Sequence, residues 1–260
     1  MNSTRFGFAV LAATTLMAAC GGGGGGGEAL PTAPVVVPPV TKIEGYYEGN
    51  FVSGARFQLL ALENDQFYAL SGTTDAQGVL RVVSLTEGRG ASANGSFTAA
   101  DARSFSNDGR VVAGTISATF VPKVSVSGTA SSSTGTSTFS GTTPAAAVVA
   151  YDTPVVLSSV VGAWAGTSLY GNSVNFSINA SGVLSATFAG CTYSGLVAPR
   201  PSGKNVLDVT VTVGPAPCAS AGERFVGVGV TSVLTNGRRQ LIIAGTNAAR
   251  TGGTVLFAQR

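Results

Sequence analysis

What this chain lacks limits its chemistry first. Its 260 residues contain no histidine, twelve Asp and Glu together, and three cysteines. Without imidazole there is no Ser-His-Asp or Cys-His nucleophile, no His-ligated zinc and no His general acid or base. Glu44 and Glu48 form the best carboxylate pair. On a strand they share a face with Tyr46, while Gly45, Tyr47 and Gly49 point the other way. Paired carboxyls are glycosidase chemistry, so a carboxylate-using hydrolase ranks third among the functional readings. Against it, the corresponding downstream segment carries Ala163 and Ala165 and no carboxylate. Two solvated Glu side chains on an outer face are the simpler expectation. Asp65, Asp75, Asp101 and Asp108 could ligate calcium, but turns select Asp for backbone reasons, and no Asp-x-Asp-x-Asp loop exists. Gly21–Gly27 is no phosphate loop, because no Lys-Ser/Thr follows it. No catalytic residue, metal or cofactor is expected, and the chain reads as a non-enzyme.

The elements that would carry any site read as strands. Apolar residues make up 44% of the chain and charged residues only 10%, with 36 Gly, so Ser, Thr and Asn must supply the polar surface. That balance, rich in Val and Thr, favours strands over helices. Runs of four to eight apolar and β-branched residues recur between turn signals. In the first half they span 43–50, 56–62, 66–71, 79–86, 91–98, 111–120, 124–129 and 137–141. In the second half they span 162–168, 173–178, 183–188, 191–197, 206–213, 224–234, 240–245 and 254–258. Leu207, Val209, Val211 and Val213 alternate with Asp208, Thr210 and Thr212, which is period two with one wet face. Asn236-Gly237 and Asn107-Asp108-Gly109 read as hairpin turns. The one helix-like stretch is Ala99 to Phe105. The expected fold is all-β: two tandem small antiparallel β-barrels of about eight short strands each, with β-sandwiches as the alternative. Gly227 and Gly229 would permit the sharp coiling a small barrel needs.

The halves repeat. Gly45-Tyr46-Tyr47-Glu48-Gly49 matches Gly162-Ala163-Trp164-Ala165-Gly166, and Gly128-Thr129, Gly135-Thr136 and Phe139 match Gly245-Thr246, Gly253-Thr254 and Phe257. This implies a duplicated β-domain, with domain 1 at 42–143, a linker at 144–159 and domain 2 at 160–260. Tyr47 and Trp164 then occupy one place on the two first strands, as core anchors or as the lining of a ligand cavity.

The N-terminus has a different grammar. Arg5, an apolar run from Phe6 to Met17, and Ala18-Ala19 before Cys20 form a secretory signal at 1–19, too short to span a bilayer. Met17-Ala18-Ala19-Cys20 resembles the lipobox of bacterial lipoproteins, although Met17 stands where that family prefers Leu. The resemblance implies lipid on Cys20, and Gly21 rather than Asp after it implies the outer membrane, facing the periplasm or the cell surface. Residues 20–41, with Gly21–Gly27 and the Pro-rich stretch Pro31–Pro39, would be a disordered tether. With Cys20 assigned to lipid, Cys191 and Cys218 remain as an even pair in an oxidising compartment and read as one disulfide. Gly162-Ala163-Trp164 resembles, weakly, the opening motif of lipocalins, in which the Trp plugs the closed barrel end. The net charge of +3 and the lack of any Lys/Arg cluster beyond Arg238-Arg239 exclude a nucleic-acid footprint. The expectation is a cell-envelope binding or interaction module held to the membrane through Cys20. Its partner would be a small apolar molecule, a glycan or an envelope protein, and the rival reading is a structural accessory without a ligand.

Overall fold

The computed structural model describes residues 41–74, 80–234 and 236–260. The signal segment, Cys20, the tether and Asp75 lie outside them. The described residues belong to one compact unit, and among them the fold is all-β.

Nine strands form the first sheet: β1 (Gly45–Phe51), β2 (Arg56–Ala61), β3 (Gln66–Thr74), β4 (Leu80–Arg89), β5 (Ala91–Ala93), β6 (Ser96–Ser106), β7 (Val111–Val121), β8 (Ser125–Ser132) and β9 (Gly135–Thr142). Because β1 pairs with β9 and β4 with β6, eight of them close a barrel, and the short β5 prolongs β4 along β6. Eight more close a second barrel: β10 (Gly162–Ser168), β11 (Ser173–Ile178), β12 (Val183–Phe188), β13 (Cys191–Pro199), β14 (Leu207–Val213), β15 (Arg224–Val233), β16 (Arg239–Asn247) and β17 (Gly253–Gln259). These are closed antiparallel barrels, not sandwiches, and closure removes the free edges on which strands aggregate. Such tight rings need strands to approach closely. At Gly227 a Cβ would lie 2.0 Å from the Ala244 carbonyl oxygen, so any side chain would force β15 and β16 apart. Gly229 carries no such demand, since a Cβ there meets only ordinary contacts.

Two local expectations fail for identifiable reasons. Residues 91–98 are not one strand. Asn94 and Gly95 hold φ of 49° and 77°, the paired positive values of a tight hairpin turn, and split the segment into β5 and the start of β6. Ala99 to Phe105 is strand, not helix. Pairing with β4 and β7 overrides the helix propensity of its alanines, and a register shift between Ala99 and Ala102 lets both face the core.

The two barrels share geometry. The β1–β2 hairpin pairs Gly45 with Ala61 and the β10–β11 hairpin pairs Gly162 with Ile178, at the same chain separation. Closure pairs Gly49 with Gly141 and Gly166 with Ala258, again at the same separation. That register sets Phe139 against Leu256, not against Phe257. Phe139 packs inside its own barrel, whereas Phe257 turns outward.

Each barrel has its own interior core, and a third core lies between them. Tyr46, Leu60, Tyr68 and Leu85 on the outer face of β1–β4 pack against Val228, Val230, Ile242 and Val255 on the outer face of β15–β17. Strands in this seam are apolar on both faces, so they read as unbroken runs instead of alternating ones. In Leu59-Leu60-Ala61-Leu62, Leu59 and Ala61 serve the first barrel's interior, while Leu60 and Leu62 serve the seam. In Leu241-Ile242-Ile243-Ala244, Leu241 and Ile243 serve the second interior, while Ile242 and Ala244 serve the seam.

Ion pairs frame the seam. Arg250, in the β16–β17 turn, grips Glu87 of β4 and Asp101 of β6. Arg200, after β13, donates to Glu63 at 2.8 and 3.0 Å and to Asp208 at 2.6 Å. In the connecting strap, Asp152 accepts from Lys123 of the first barrel at 2.5 Å and from Lys204 of the second at 2.7 Å. Those two lysines hold its carboxyl below the usual aspartate range.

Candidate functional site

Tyr47 and Trp164 sit at equivalent places and do equivalent work. Each is almost fully buried on the first strand of its barrel. The Tyr47 hydroxyl donates to the Ile43 carbonyl at 2.8 Å, and Trp164 Nε1 donates to the Val160 carbonyl at 2.8 Å, each four residues back. Lys123 N completes the first by donating to the Tyr47 hydroxyl at 3.1 Å. The guanidinium of Arg260 covers the second, 4.4 Å from the Trp164 ring centroid. Both rings act as core anchors that plug the barrel end where the chain enters.

The described carboxylates singled out in the sequence are tied into the scaffold. Glu44 accepts from the Tyr151 hydroxyl at 3.3 Å and Glu48 accepts from the Gln58 amide at 3.0 Å. Asp65 receives the Ser92 hydroxyl at 2.6 Å and the Lys42 ammonium. Burial pushes the Asp65 carboxyl up, but these donors outweigh it and hold the group below the usual range. Asp101 is bound by Arg250, and Asp108 lies in an exposed pair with Arg110 at 2.7 Å. Among the described residues no group of three or more potential metal ligands forms. Cys191 and Cys218 are joined as a disulfide, Cα atoms 5.5 Å apart, tying the start of β13 to the β14–β15 loop. Closing that 27-residue span contributes roughly 3–4 kcal/mol in the chain-entropy account.

The interior of the first barrel is nearly full. It encloses a cavity of about 70 Å³ among Phe51, Phe57, Phe67, Phe97 and Phe139. The Phe51, Phe57 and Phe139 rings pack edge-to-face at 5.5–6.1 Å. A cavity of roughly 150 Å³ is what takes up a single benzene, so this interior has no room for an apolar ligand of ordinary size.

A larger recess lies outside. A groove of about 600 Å³ runs over the outer face of β7, β8 and β9 onto the end of β1. Strand register builds it as two rows. Ser96, Thr119, Ser127, Ser140 and Asn50 align across five strands, and Ser117, Thr129 and Thr138 align beside them. Neighbouring strands stand roughly 4.8 Å apart, so the first row presents hydrogen-bonding groups at regular steps. The Thr119 and Ser127 hydroxyls lie 3.3 Å apart. The floor is Gly128 between Ala118 and Phe139, and the exposed Val52 stands at one end. A Cβ at Gly128 would lie 2.2 Å from the Ser117 carbonyl oxygen, so the close approach of β7 and β8 beneath the groove requires glycine. No charged residue lines the groove.

None of these hydroxyls stands out singly in the sequence. The signal is collective: Ser or Thr at every second position, as in Ser125, Ser127, Thr129 and Ser131, the outward phase of a strand whose inward phase is apolar.

No protein-family model and no curated protein sequence matches the chain. Among solved structures it is similar to a protein of unknown function from the DUF3598 family of Nostoc punctiforme, at 15% identity and TM-score 0.26, covering 84% of this chain and 94% of that one. It is also similar to a variant of the vaccine antigen transferrin binding protein B from Haemophilus parasuis, at 8% identity and TM-score 0.25, covering 82% of this chain and 66% of that one.

Proposed function

We propose that the protein is a non-catalytic, membrane-tethered binding module that holds a neutral polyhydroxylated ligand, a glycan segment, in the outer groove of its first barrel. One observation carries this reading: the groove is large enough for a ligand, at about 600 Å³, and is lined by hydroxyls and an amide with no charge. An apolar ligand finds little room inside the first barrel, and an anionic one finds no cation in the groove. Seven hydroxyls donate and accept alike, which suits sugar hydroxyls that do the same, and the exposed Val52 offers an apolar surface to a ring face.

The test uses the full chain on immobilised neutral oligosaccharides, with saturation-transfer NMR as confirmation. Wild type should bind a neutral glycan, and Thr129→Arg or Ser140→Arg, which fill the groove from a half-buried and an exposed position, should abolish binding without loss of stability. Absence of wild-type binding to any neutral glycan would reject the reading.

The tether rests on the lipobox-like residues before Cys20. Lipid there, followed by the Gly- and Pro-rich stretch, would hold the barrels clear of an outer membrane. Cys20→Ser should abolish incorporation of a fatty-acid probe and release the protein from membranes. Retained labelling would overturn the lipid assignment.

A further inference from the structure

Between the barrels the chain crosses the end of the second one as a strap. Val233 N donates to the Val148 carbonyl at 2.9 Å, Asn205 N to the Tyr151 carbonyl at 2.8 Å and Val155 N to the Lys204 carbonyl at 3.2 Å. Beneath the strap lies a cavity of about 220 Å³, separate from the groove and on the other barrel. Ala147 and Val148 of the strap, with Trp164, give it apolar walls.

Its polar groups are unevenly satisfied. The Asn205 amide is spent on Thr231, donating to its carbonyl at 2.8 Å and accepting its hydroxyl at 2.7 Å. The Ser159 hydroxyl donates to the Val156 carbonyl at 2.7 Å. Gln240 is 3% exposed; its Oε1 accepts the Ser232 hydroxyl at 2.9 Å, and its Nε2 has no partner. A buried amide donor left without a partner is costly and points to a ligand that accepts from it. Arg239 also lines the cavity; its one hydrogen bond is a long 3.4 Å contact to the Ser159 carbonyl, and no carboxylate pairs with it among the described residues. Arg260 reaches the same Ser159 carbonyl at 2.6 Å, so two guanidiniums converge there without a counter-charge. An unpartnered buried donor and a positive charge at one place define the complement.

We propose that this cavity is a second binding site and takes a small organic carboxylate. The carboxylate would accept from Gln240 Nε2 and pair with Arg239, and the short apolar body would lie between Val148 and Trp164. A cavity of roughly 150 Å³ already holds a benzene ring, so a ring bearing a carboxylate is a fitting probe.

The full chain is titrated with benzoate, benzamide and benzylamine by calorimetry and thermal unfolding. Benzoate should bind and raise the melting temperature, benzamide should bind at least about tenfold more weakly for want of the charge-assisted bonds, and benzylamine should not bind. Arg239→Ala, at an exposed position, should weaken benzoate about tenfold. Gln240→Glu keeps the shape, repels the carboxylate and should abolish binding. Thr129→Arg should leave benzoate untouched, which separates this site from the groove. No benzoate binding at millimolar concentration, equal or tighter binding of benzylamine, or wild-type affinity in Arg239→Ala would each overturn the proposal.

Discussion

Replacing Arg250 by Ala is expected to destabilise the protein by about 3–5 kcal/mol, read as a fall in the urea midpoint. Arg250 reaches from the second barrel into the first, where the Glu87 side chain is only 6% exposed. Burial already pushes the Glu87 carboxyl above its usual pKa despite the guanidinium against it. Removing Arg250 leaves that carboxylate buried and unpaired, a loss that typically costs about 3–5 kcal/mol. The sign of the pH dependence follows. A raised folded-state pKa means that protonation favours the fold, and without Arg250 the pKa rises further. The variant should therefore lose most stability above the carboxylate range and recover part of it as pH falls toward the unfolded Glu value. A uniform loss across pH, or a loss below about 1 kcal/mol as in an exposed pair, would show that the clamp is ornamental. Arg250→Met with Glu87→Leu should restore much of the stability, since a well-packed apolar pair often replaces a buried ion pair without penalty.

Trp164→Ala should cost a similar amount, about 3–5 kcal/mol, the usual range for emptying a buried aromatic site. Three losses coincide: the ring's contacts with the second barrel's core, the hydrogen bond to the Val160 carbonyl, and the surface on which the Arg260 guanidinium lies. Trp164→Phe separates them, because it keeps most of the volume and removes the indole donor. It should retain more than half of the lost stability by thermal unfolding. If Trp164→Ala unfolds like wild type, the plug reading of both Trp164 and Tyr47 fails.

Much of the architecture is legible in the sequence because a barrel strand with one wet face writes its own period. Strands β10, β11 and β12 have the limits expected from their apolar runs. The errors fall where a second influence overlays that period. Ala99–Phe105 carries local helix preference that only non-local pairing defeats. The Asn94-Gly95 turn was present as a dipeptide signal inside a run that looked continuous. The seam was written too, in Leu241-Ile242-Ile243-Ala244, where strict alternation gives way to a solid apolar run. The groove was hardest to read, because its residues are individually ordinary and acquire meaning only when register aligns them across five strands. The strap cavity depends on Gln240, whose burial no local pattern announces, since a lone Gln before an apolar run looks like any strand end.

The seam joins unlike faces: β1–β4 of one barrel meet β15–β17 of the other. If the barrels are copies of one design, this is a head-to-tail contact, which leaves a complementary face at each end unless the rotation closes a ring. Each end of the molecule then carries the counterpart of a face already used in the middle, and a third barrel could in principle dock, then a fourth, as in a growing filament. The counterpart of β15–β17 on the first barrel is β7–β9. Where the used face has Val228, Ala244 and Val255, the free one has Ser117, Thr129 and Thr138. The hydroxyls that make the groove therefore also cap the polymer at length two.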